Sequence, residues 1–141
     1  EPSLMQWGYP LPGRLVINAR AETAAVRPLF RGSVQSRRCL IPASGFYEWD
    51  SAKRKYLFTL PEGGPVYMAG LYDCREGLDC YCILTTQANR SMQPIHPRMP
   101  LILSGRLGRR WLSDRHSPAD ILAITPPELA YTSAEAQLSF W

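Results

Sequence analysis

The chain has 141 residues, of which 45% are hydrophobic, and it carries a formal net charge of +4. This size and apolar content suit one domain with its own core, without a disulfide framework or a structural metal. No apolar run approaches the roughly 20 residues of a membrane span, and the chain opens on no recognisable leader. We therefore expect a cytoplasmic protein with no membrane partner.

Arginine dominates the basic residues: 14 of the 16 Lys and Arg residues are Arg, and only Lys53 and Lys55 are Lys. The planar guanidinium suits bidentate contact with phosphate oxygens, so the bias favours a nucleic-acid partner. A GC-rich genome, which replaces Lys by Arg throughout a proteome, explains the same bias. The mild net charge does not choose between the two explanations.

A first polar block, Ile-Asn-Ala-Arg-Ala-Glu-Thr at residues 17–23, follows the dipeptide Trp7-Gly8. Asn18 offers a neutral donor and acceptor for orienting a reacting group, or alternatively caps a short helix predicted over residues 21–30. Arg20 follows Asn18 by two residues, so in an extended segment both point to the same side. Trp7 either stacks on a base or packs in the core.

Short strands separated by turn signals fill the middle of the chain. Aromatic and β-branched content predicts five of them, at residues 38–42, 46–49, 56–60, 66–72 and 81–86. Their close spacing implies antiparallel pairing. The pattern predicts the α+β class with a β-dominated core.

Two helices are predicted after the strands. Residues 105–112 place Leu107 and Trp111 four residues apart on one helical face. A second helix is predicted to start at residues 117–120, with Ser117 as N-cap, Pro118 at the first helical position and Asp120 in the first turn.

Glu48 is the leading candidate for chemistry. In the extended segment Phe-Tyr-Glu-Trp, alternation puts Phe46 and Glu48 on one face and Tyr47 and Trp49 on the other. A carboxylate beside aromatic surface suits a general acid, whereas an edge strand would leave Glu48 in water. Trp49 is a candidate for stacking on a base, with core packing as the alternative.

His96 lies between Pro94 and Pro97, and a residue before proline is held away from helical conformation. Imidazole exchanges protons near neutral pH, so His96 is the second acid/base candidate. Arg98 follows it by two residues and places another guanidinium beside the same site. The other histidine, His116, stands in a polar run and is expected to be exposed and idle.

Four cysteines are present, at Cys39, Cys74, Cys80 and Cys82. They lack the paired spacing of a zinc site, so we predict no metal and no cofactor. Cys74 and Cys80 are placed to face each other across a hairpin turning at residues 75–79, although a cytosolic protein would keep them reduced. A cysteine protease using Cys39 or Cys82 with His96 is the weakest interpretation, because no nucleophile turn is evident.

Four ordered blocks resemble the SRAP (SOS response-associated peptidase) family, whose members shield abasic sites in single-stranded DNA by crosslinking to them. The blocks lie at residues 17–23, 45–49, 68–73 and 95–100, with Trp7-Gly8 ahead of them. The resemblance covers residues 7–103 and is loose beyond. It implies twisted antiparallel sheets that form an open β-barrel-like core with peripheral helices.

The resemblance also implies the site residues and the partner. Asn18, Glu48 and His96 are the catalytic set, acting in ring opening of the sugar and in proton transfer. The DNA-binding set is expected to be Arg20, Arg98, Trp7, Trp49 and Thr85. The partner is single-stranded DNA with abasic sites, bound by a monomer that is nucleoid-associated when on DNA.

Family members begin Met-Cys-Gly-Arg, and self-removal of Met exposes a Cys whose amine forms a Schiff base with the sugar and whose thiol closes a thiazolidine. This chain begins Glu-Pro-Ser and ends Phe-Trp, where the family closes on a Val-rich strand. We therefore expect one SRAP-like domain over residues 1–141 without those terminal segments. It is either part of a longer crosslinking protein or a non-covalent single-stranded DNA-binding module.

Overall fold

The structure is a computed structural model that describes residues 1–113 and 115–134. In these ranges the strands are β1 Gln6–Trp7, β2 Tyr9–Leu11, β3 Arg14–Val16, β4 Asn18–Arg20, β5 Arg38–Ala43, β6 Phe46–Trp49, β7 Lys55–Thr59, β8 Val66–Arg75, β9 Leu78–Gln87, β10 Arg98–Pro100, β11 Ile102–Leu103 and β12 Ala130–Ser133. The helices are α1 Arg31–Ser36, α2 Gly105–Leu112 and α3 Ala119–Leu122. The predicted mixture of many strands with few helices is confirmed.

A seven-stranded sheet is built around the antiparallel hairpin β8–β9. Strands β5 and β11 pair with β8, and β10 pairs with β9, all antiparallel. Strands β1 and β4 instead run parallel to β9, so the expectation of antiparallel pairing is wrong for these two. Both belong to one interrupted edge: Trp7 lies opposite Tyr81 and Asn18 opposite Ile83, and the intervening residues form the β2–β3 hairpin.

Alternation along β8 and β9 gives the large sheet two buried faces. One face carries Leu71 and Leu84 and packs against α1 and α2, where Trp111 is fully buried. The other face carries Met68 and Ile83 and joins a second core that includes Phe58 of β7. The strands of this second side form a three-stranded sheet in the order β12-β7-β6. The pairings among the described residues close no barrel, so a barrel-like core is not confirmed.

The helix predicted over residues 21–30 is wrong. These residues form successive turns, in which the Ala24 amide bonds to the Arg20 carbonyl and the Arg27 amide to the Thr23 carbonyl. Pro28 has no amide hydrogen to continue such a ladder, and its ring clashes with the preceding helical turn. The helix α1 therefore begins only at Arg31.

The two later helices are confirmed, with one change of cap. Leu107 packs on the core beside the buried Trp111, as the spacing in α2 predicts. The N-cap of α3 is Pro118 and not Ser117, although the Ser117 hydroxyl still accepts from the Ala119 amide at 3.3 Å. None of the helices within residues 1–113 and 115–134 is long and apolar enough to cross a membrane.

The predicted hairpin between the cysteines forms, but its register differs from the expected one. Glu76 and Gly77 occupy the turn with φ of 52° and 78°, the left-handed pair that a tight hairpin requires. Cys74 lies opposite Asp79, and Cys80 lies opposite Asp73. The two thiols are therefore one position out of register, and all four cysteines are free.

Candidate functional site

A cleft of about 800 Å³ lies between strand β6 and the face of the large sheet that carries Met68 and Ile83. The eight residues predicted for the site all line it: Trp7, Asn18, Arg20, Glu48, Trp49, Thr85, His96 and Arg98. They come from β1, β4, β6, β9, β10 and the turn before β10. The fold thus gathers polar groups from stretches that are far apart in sequence.

His96 and Glu48 face each other in the centre of the cleft. Nε2 of His96 lies 3.8 Å from Oε1 of Glu48, and their side chains are 35% and 28% exposed. The amide of Trp49 donates a hydrogen bond to the same carboxylate oxygen at 3.1 Å. Tyr56 lies opposite Glu48 in the β6–β7 ladder, so the strand pairing fixes the carboxylate at the cleft wall.

The second ring nitrogen of His96 is held by the backbone of Arg98. The amide of Arg98 donates to Nδ1 at 3.1 Å, and the Arg98 carbonyl oxygen also lies 3.1 Å from Nδ1. Because an amide is always a donor, the neutral ring accepts at Nδ1 and carries its hydrogen on Nε2. This assignment puts the hydrogen on the ring nitrogen that lies 3.8 Å from Glu48.

Asn18 and Arg20 are exposed on either side of buried Ala19, so the predicted common side is confirmed. Asn18 lies in strand β4, opposite Ile83, and caps no helix; the capping alternative is wrong. Arg20 lies opposite Thr85 in the same ladder. Within the described ranges the Asn18 side chain makes no hydrogen bond, which leaves its amide group available to a ligand.

The guanidinium of Arg98 is already bound within the protein. It forms a two-point ion pair with Glu22, with Nη2 to Oε1 at 2.8 Å and Nη1 to Oε2 as the second contact. Nη2 also donates to the carbonyl and hydroxyl oxygens of Thr85, at 3.0 and 3.1 Å. The Arg98 side chain is only 20% exposed, whereas Arg20 is exposed. Arg20 is therefore the more accessible of the two predicted phosphate ligands.

Both tryptophans stand at the cleft with about half their surface exposed. Trp7 and Trp49 are each 47% exposed, so the core-packing alternative is wrong for both. Trp7 stacks on Tyr81 at 6.4 Å between ring centroids, and its Nε1 donates to the carbonyl of Ile17 at 3.1 Å. The indole of Trp7 is thus held in place with part of its surface open to solvent.

Sequence reasoning missed two residues at this site, Glu22 and Tyr47. Glu22 is the counter-ion of Arg98, and no sequence pattern connects two positions 76 residues apart. Hydrogen bonding from Arg98 is the main reason that the pKa of Glu22 falls below its ordinary value. Tyr47 lines the cleft next to Trp49. Alternation along β6 puts both residues on one face of the strand, so the sequence could have predicted Tyr47 as a site residue.

The cysteines do not support a protease. Burial raises the pKa of Cys39 and of Cys82 to about 12, so neither offers a thiolate near neutral pH. Cys82 lies in the core beside the helices, where its thiol donates to the Val16 carbonyl at 3.1 Å.

The described part of the chain contains no group of three His, Cys, Asp or Glu residues that could hold a metal. His116 is exposed, as predicted.

Comparison with known proteins agrees with the blocks that line the cleft. The family model of SRAP, the SOS response associated peptidase family, matches residues 2–137. The chain belongs to the SRAP family.

Two curated relatives and one solved structure show how much of a family member the chain represents. The abasic site processing protein YoqW of Bacillus subtilis (strain 168) is 37% identical over 84% of this chain and 60% of its own length. The abasic site processing protein HMCES of Xenopus tropicalis is 32% identical over 90% of this chain and 44% of its own length. A crystal structure of a Bordetella bronchiseptica protein superposes with a TM-score of 0.73 at 31% identity, over 83% of this chain and 64% of that one. The chain therefore spans less than two thirds of each.

Proposed function

We propose that this protein is an abasic-site sensor that binds single-stranded DNA and, in an intact form with an N-terminal Cys, crosslinks to the abasic sugar. The observation that carries the proposal is the convergence of Asn18, Glu48 and His96 in one cleft. An acid/base pair beside a neutral amide is what opening of a sugar hemiacetal needs, because one proton is given and another is taken. The names of the relatives, abasic site processing proteins, support the same substrate.

His96 and Glu48 have complementary tasks in ring opening. His96 hydrogen-bonds through its Nε2 hydrogen to the ring oxygen of the sugar, and a water gives that oxygen its proton. Glu48 acts as a base, not as the predicted general acid, and takes the proton of the C1 hydroxyl. The bond between C1 and the ring oxygen breaks, which leaves an aldehyde at C1 and a hydroxyl at C4. The 3.8 Å between Nε2 and Oε1 leaves room for that water, to which Glu48 returns the proton that it has taken.

The covalent step uses an amine and a thiol from one N-terminal Cys. The amine adds to the aldehyde and water leaves, giving an imine; the thiol then adds to the imine carbon and closes a thiazolidine. No oxidant or reductant is consumed. Asn18, with its side-chain amide unoccupied, orients the attacking amine. Cys39, Cys74, Cys80 and Cys82 cannot replace that residue, because their amines are locked in peptide bonds.

The surroundings of the cleft favour a single strand over a duplex. Trp7 and Trp49 offer half-exposed rings on which unpaired bases stack, and a base inside a duplex has no free face. Arg20 is the exposed cation beside the catalytic set and suits a phosphate next to the abasic sugar. A strand with splayed bases is therefore the ligand that fits both features.

Salt-titrated binding and a denaturing gel test the proposal together. We expect tighter binding to an abasic single strand than to a matched duplex, with an affinity that falls as salt rises. Equal affinity for both DNAs at one salt concentration would contradict it. A protein in which the family's Met-Cys-Gly-Arg segment precedes this chain should form a heat-stable adduct with abasic DNA. A matched protein with Ser in place of that Cys should form none. Binding without any adduct in the Cys version would favour the non-covalent module instead.

A further inference from the structure

The β6–β7 hairpin carries a cluster of two aromatic rings and one cation beside the cleft. The ammonium of Lys55 lies 4.0 Å from the ring centroid of Tyr47 and 5.6 Å from that of Trp49. Trp49 and Lys55 are directly opposite each other in the ladder. Tyr47 is 49% exposed and Trp49 is 47% exposed. We call these three residues, Tyr47, Trp49 and Lys55, the hairpin shelf.

The hairpin shelf is continuous with the cleft, because Tyr47 and Trp49 both line it. Its cation is not neutralised: in the described ranges Lys55 forms no ion pair, whereas its neighbour Arg54 pairs with Asp50 at 2.9 Å. Half-exposed aromatic surface with an uncompensated positive charge is complementary to a nucleotide, which offers a flat base and an anionic phosphate. Protein–protein interfaces are depleted in Lys, so this cation favours a nucleotide over a protein partner.

We propose that the hairpin shelf is a second nucleotide subsite, which binds a nucleotide flanking the abasic position. The base stacks on the rings of Tyr47 and Trp49, and Lys55 leaves the rings to pair with the phosphate. The inference rests on the proposed function and extends it along the DNA strand. It predicts that the sensor reads the presence of a flanking nucleotide but not its base, because every base has a stacking face.

The exchange at the hairpin shelf is favourable on physical grounds. A cation over a half-exposed aromatic ring is held weakly, and base stacking on the same ring is stronger. Lys55 has a flexible four-carbon stem, so its ammonium moves without displacing the strand. When the Lys55 ammonium moves from the rings to a phosphate, it forms an ion pair there and a counterion is released from the DNA.

Four variants of the full chain test the subsite. Tyr47→Leu keeps apolar bulk but removes the stacking face, and Tyr47→Phe keeps the face. Lys55→Gln removes the charge, and Lys55→Arg keeps it. Anisotropy is measured on abasic single strands with nucleotides on both sides, on one side only, and on neither side. Thermal melting confirms that each variant is folded.

We expect Tyr47→Leu to weaken binding of the fully flanked strand about 5- to 50-fold, with Tyr47→Phe close to the parent. Lys55→Gln should lower the slope of log affinity against log salt by about one, with Lys55→Arg retaining it. The loss of affinity and the change in salt slope should both vanish when the nucleotides on one side of the abasic site, the side that contacts the hairpin shelf, are removed. Matched controls are Tyr67→Leu, an exposed tyrosine outside the cleft, and Arg106→Gln on α2, which packs against the other face of the large sheet.

The outcomes separate this inference from the proposed function. Unchanged affinity and salt slope in Tyr47→Leu and Lys55→Gln would overturn the subsite while leaving single-strand binding in place. Losses that persist on the strand trimmed at both sides would overturn it too, since no flanking nucleotide is then present. A parent chain that binds no single strand at all would refute the proposed function and the subsite with it.

Discussion

The imidazole of His96 faces the carboxylate of Glu48 across the cleft, with 3.8 Å between Nε2 and Oε1. This separation is too long for a direct hydrogen bond, yet a single oxygen atom can lie within hydrogen-bond distance of both. Each group accepts a hydrogen bond from a backbone amide: Trp49 N–H donates to Glu48 and Arg98 N–H donates to His96. The proposed ring opening uses this arrangement, with His96 at the ring oxygen of the sugar and Glu48 at the C1 hydroxyl.

Removing the functional group of Glu48 or of His96 should slow the crosslinking chemistry and spare DNA binding. Glu48→Gln keeps the shape of the side chain but cannot take a proton, and His96→Ala removes the ring. In the Cys-bearing form we expect each to reduce the single-turnover crosslinking rate about 100-fold or more. Affinity for abasic DNA should change by less than about 3-fold. His116→Ala, at an exposed histidine, is the control. Unchanged crosslinking rates in both test variants would show that Glu48 and His96 take no part in the chemistry.

The fold could be predicted from the sequence where local pattern and tertiary structure agree. Alternation fixed the two faces of β6, and the four-residue spacing of Leu107 and Trp111 fixed the buried face of α2. The parallel course of β1 and β4 along β9 could not be predicted, because it depends on the β2–β3 hairpin looping out of one edge. In residues 21–30 alanine content favours helix locally, and Pro28 overrides it.

At the site, too, local spacing could be predicted from the sequence and long-range contacts could not. Spacing by two predicted that Asn18 and Arg20 share a side, since strand geometry alone decides it. The same rule placed Arg98 beside His96, but its guanidinium turns to Glu22, which only the folded chain brings within reach. Long-range ion pairs leave no periodic signal in a sequence. Whether Arg98 meets phosphate as well stays a prediction.

The Glu22–Arg98 pair should stabilise the protein in a pH-dependent manner. Hydrogen bonding from Arg98 lowers the pKa of Glu22 below its ordinary value of 4.5. A depressed pKa in the folded state means that the stabilisation is present above about pH 4.5 and is lost as pH falls through the folded-state pKa. Glu22 is 46% exposed, so solvent screening limits the contribution to about 1 kcal/mol.

Urea unfolding of Glu22→Gln and of the parent chain measures this contribution. The difference in the free energy of unfolding should be about 1 kcal/mol at pH 7 and should shrink at acidic pH, as Glu22 becomes protonated in the folded state. Glu62→Gln, at an exposed position without an ion pair in the described ranges, is the control. A difference that stays the same at both pH values would show that the ion pair is not its cause.

The thiols should differ widely in reactivity. Cys74 is exposed, whereas burial raises the pKa of Cys39 and Cys82 to about 12. At pH 8 their thiolate fraction is then on the order of one in ten thousand. Iodoacetamide should modify Cys74 first in the native protein and all four thiols in denaturant, as read by mass spectrometry over time. Native modification of Cys39 or Cys82 as fast as Cys74 would reopen the protease interpretation.

Gly70 sits where three strands meet, and a side chain there should destabilise the large sheet. A Cβ at this position would lie 2.3 Å from Cδ1 of Ile41, 2.9 Å from the Cys82 carbonyl oxygen and 3.0 Å from the Cys39 sulfur. The tip of Ile41 can rotate away. The Cys82 oxygen cannot, because the backbone of β9 is held by the β8–β9 ladder. We expect Gly70→Ala to lower the free energy of unfolding by about 1–3 kcal/mol.

Two further variants separate the causes of that loss. Adding Ile41→Val to Gly70→Ala removes the Cδ1 clash, and it should recover only part of the stability because the contact with the Cys82 oxygen remains. Gly105→Ala, at the first residue of α2, meets its nearest atom at an ordinary 3.7 Å and should be neutral or slightly stabilising. Urea unfolding measures all three. Parent-like stability of Gly70→Ala would show that β8 moves freely between β5 and β9, and full recovery by Ile41→Val would assign the whole loss to the isoleucine.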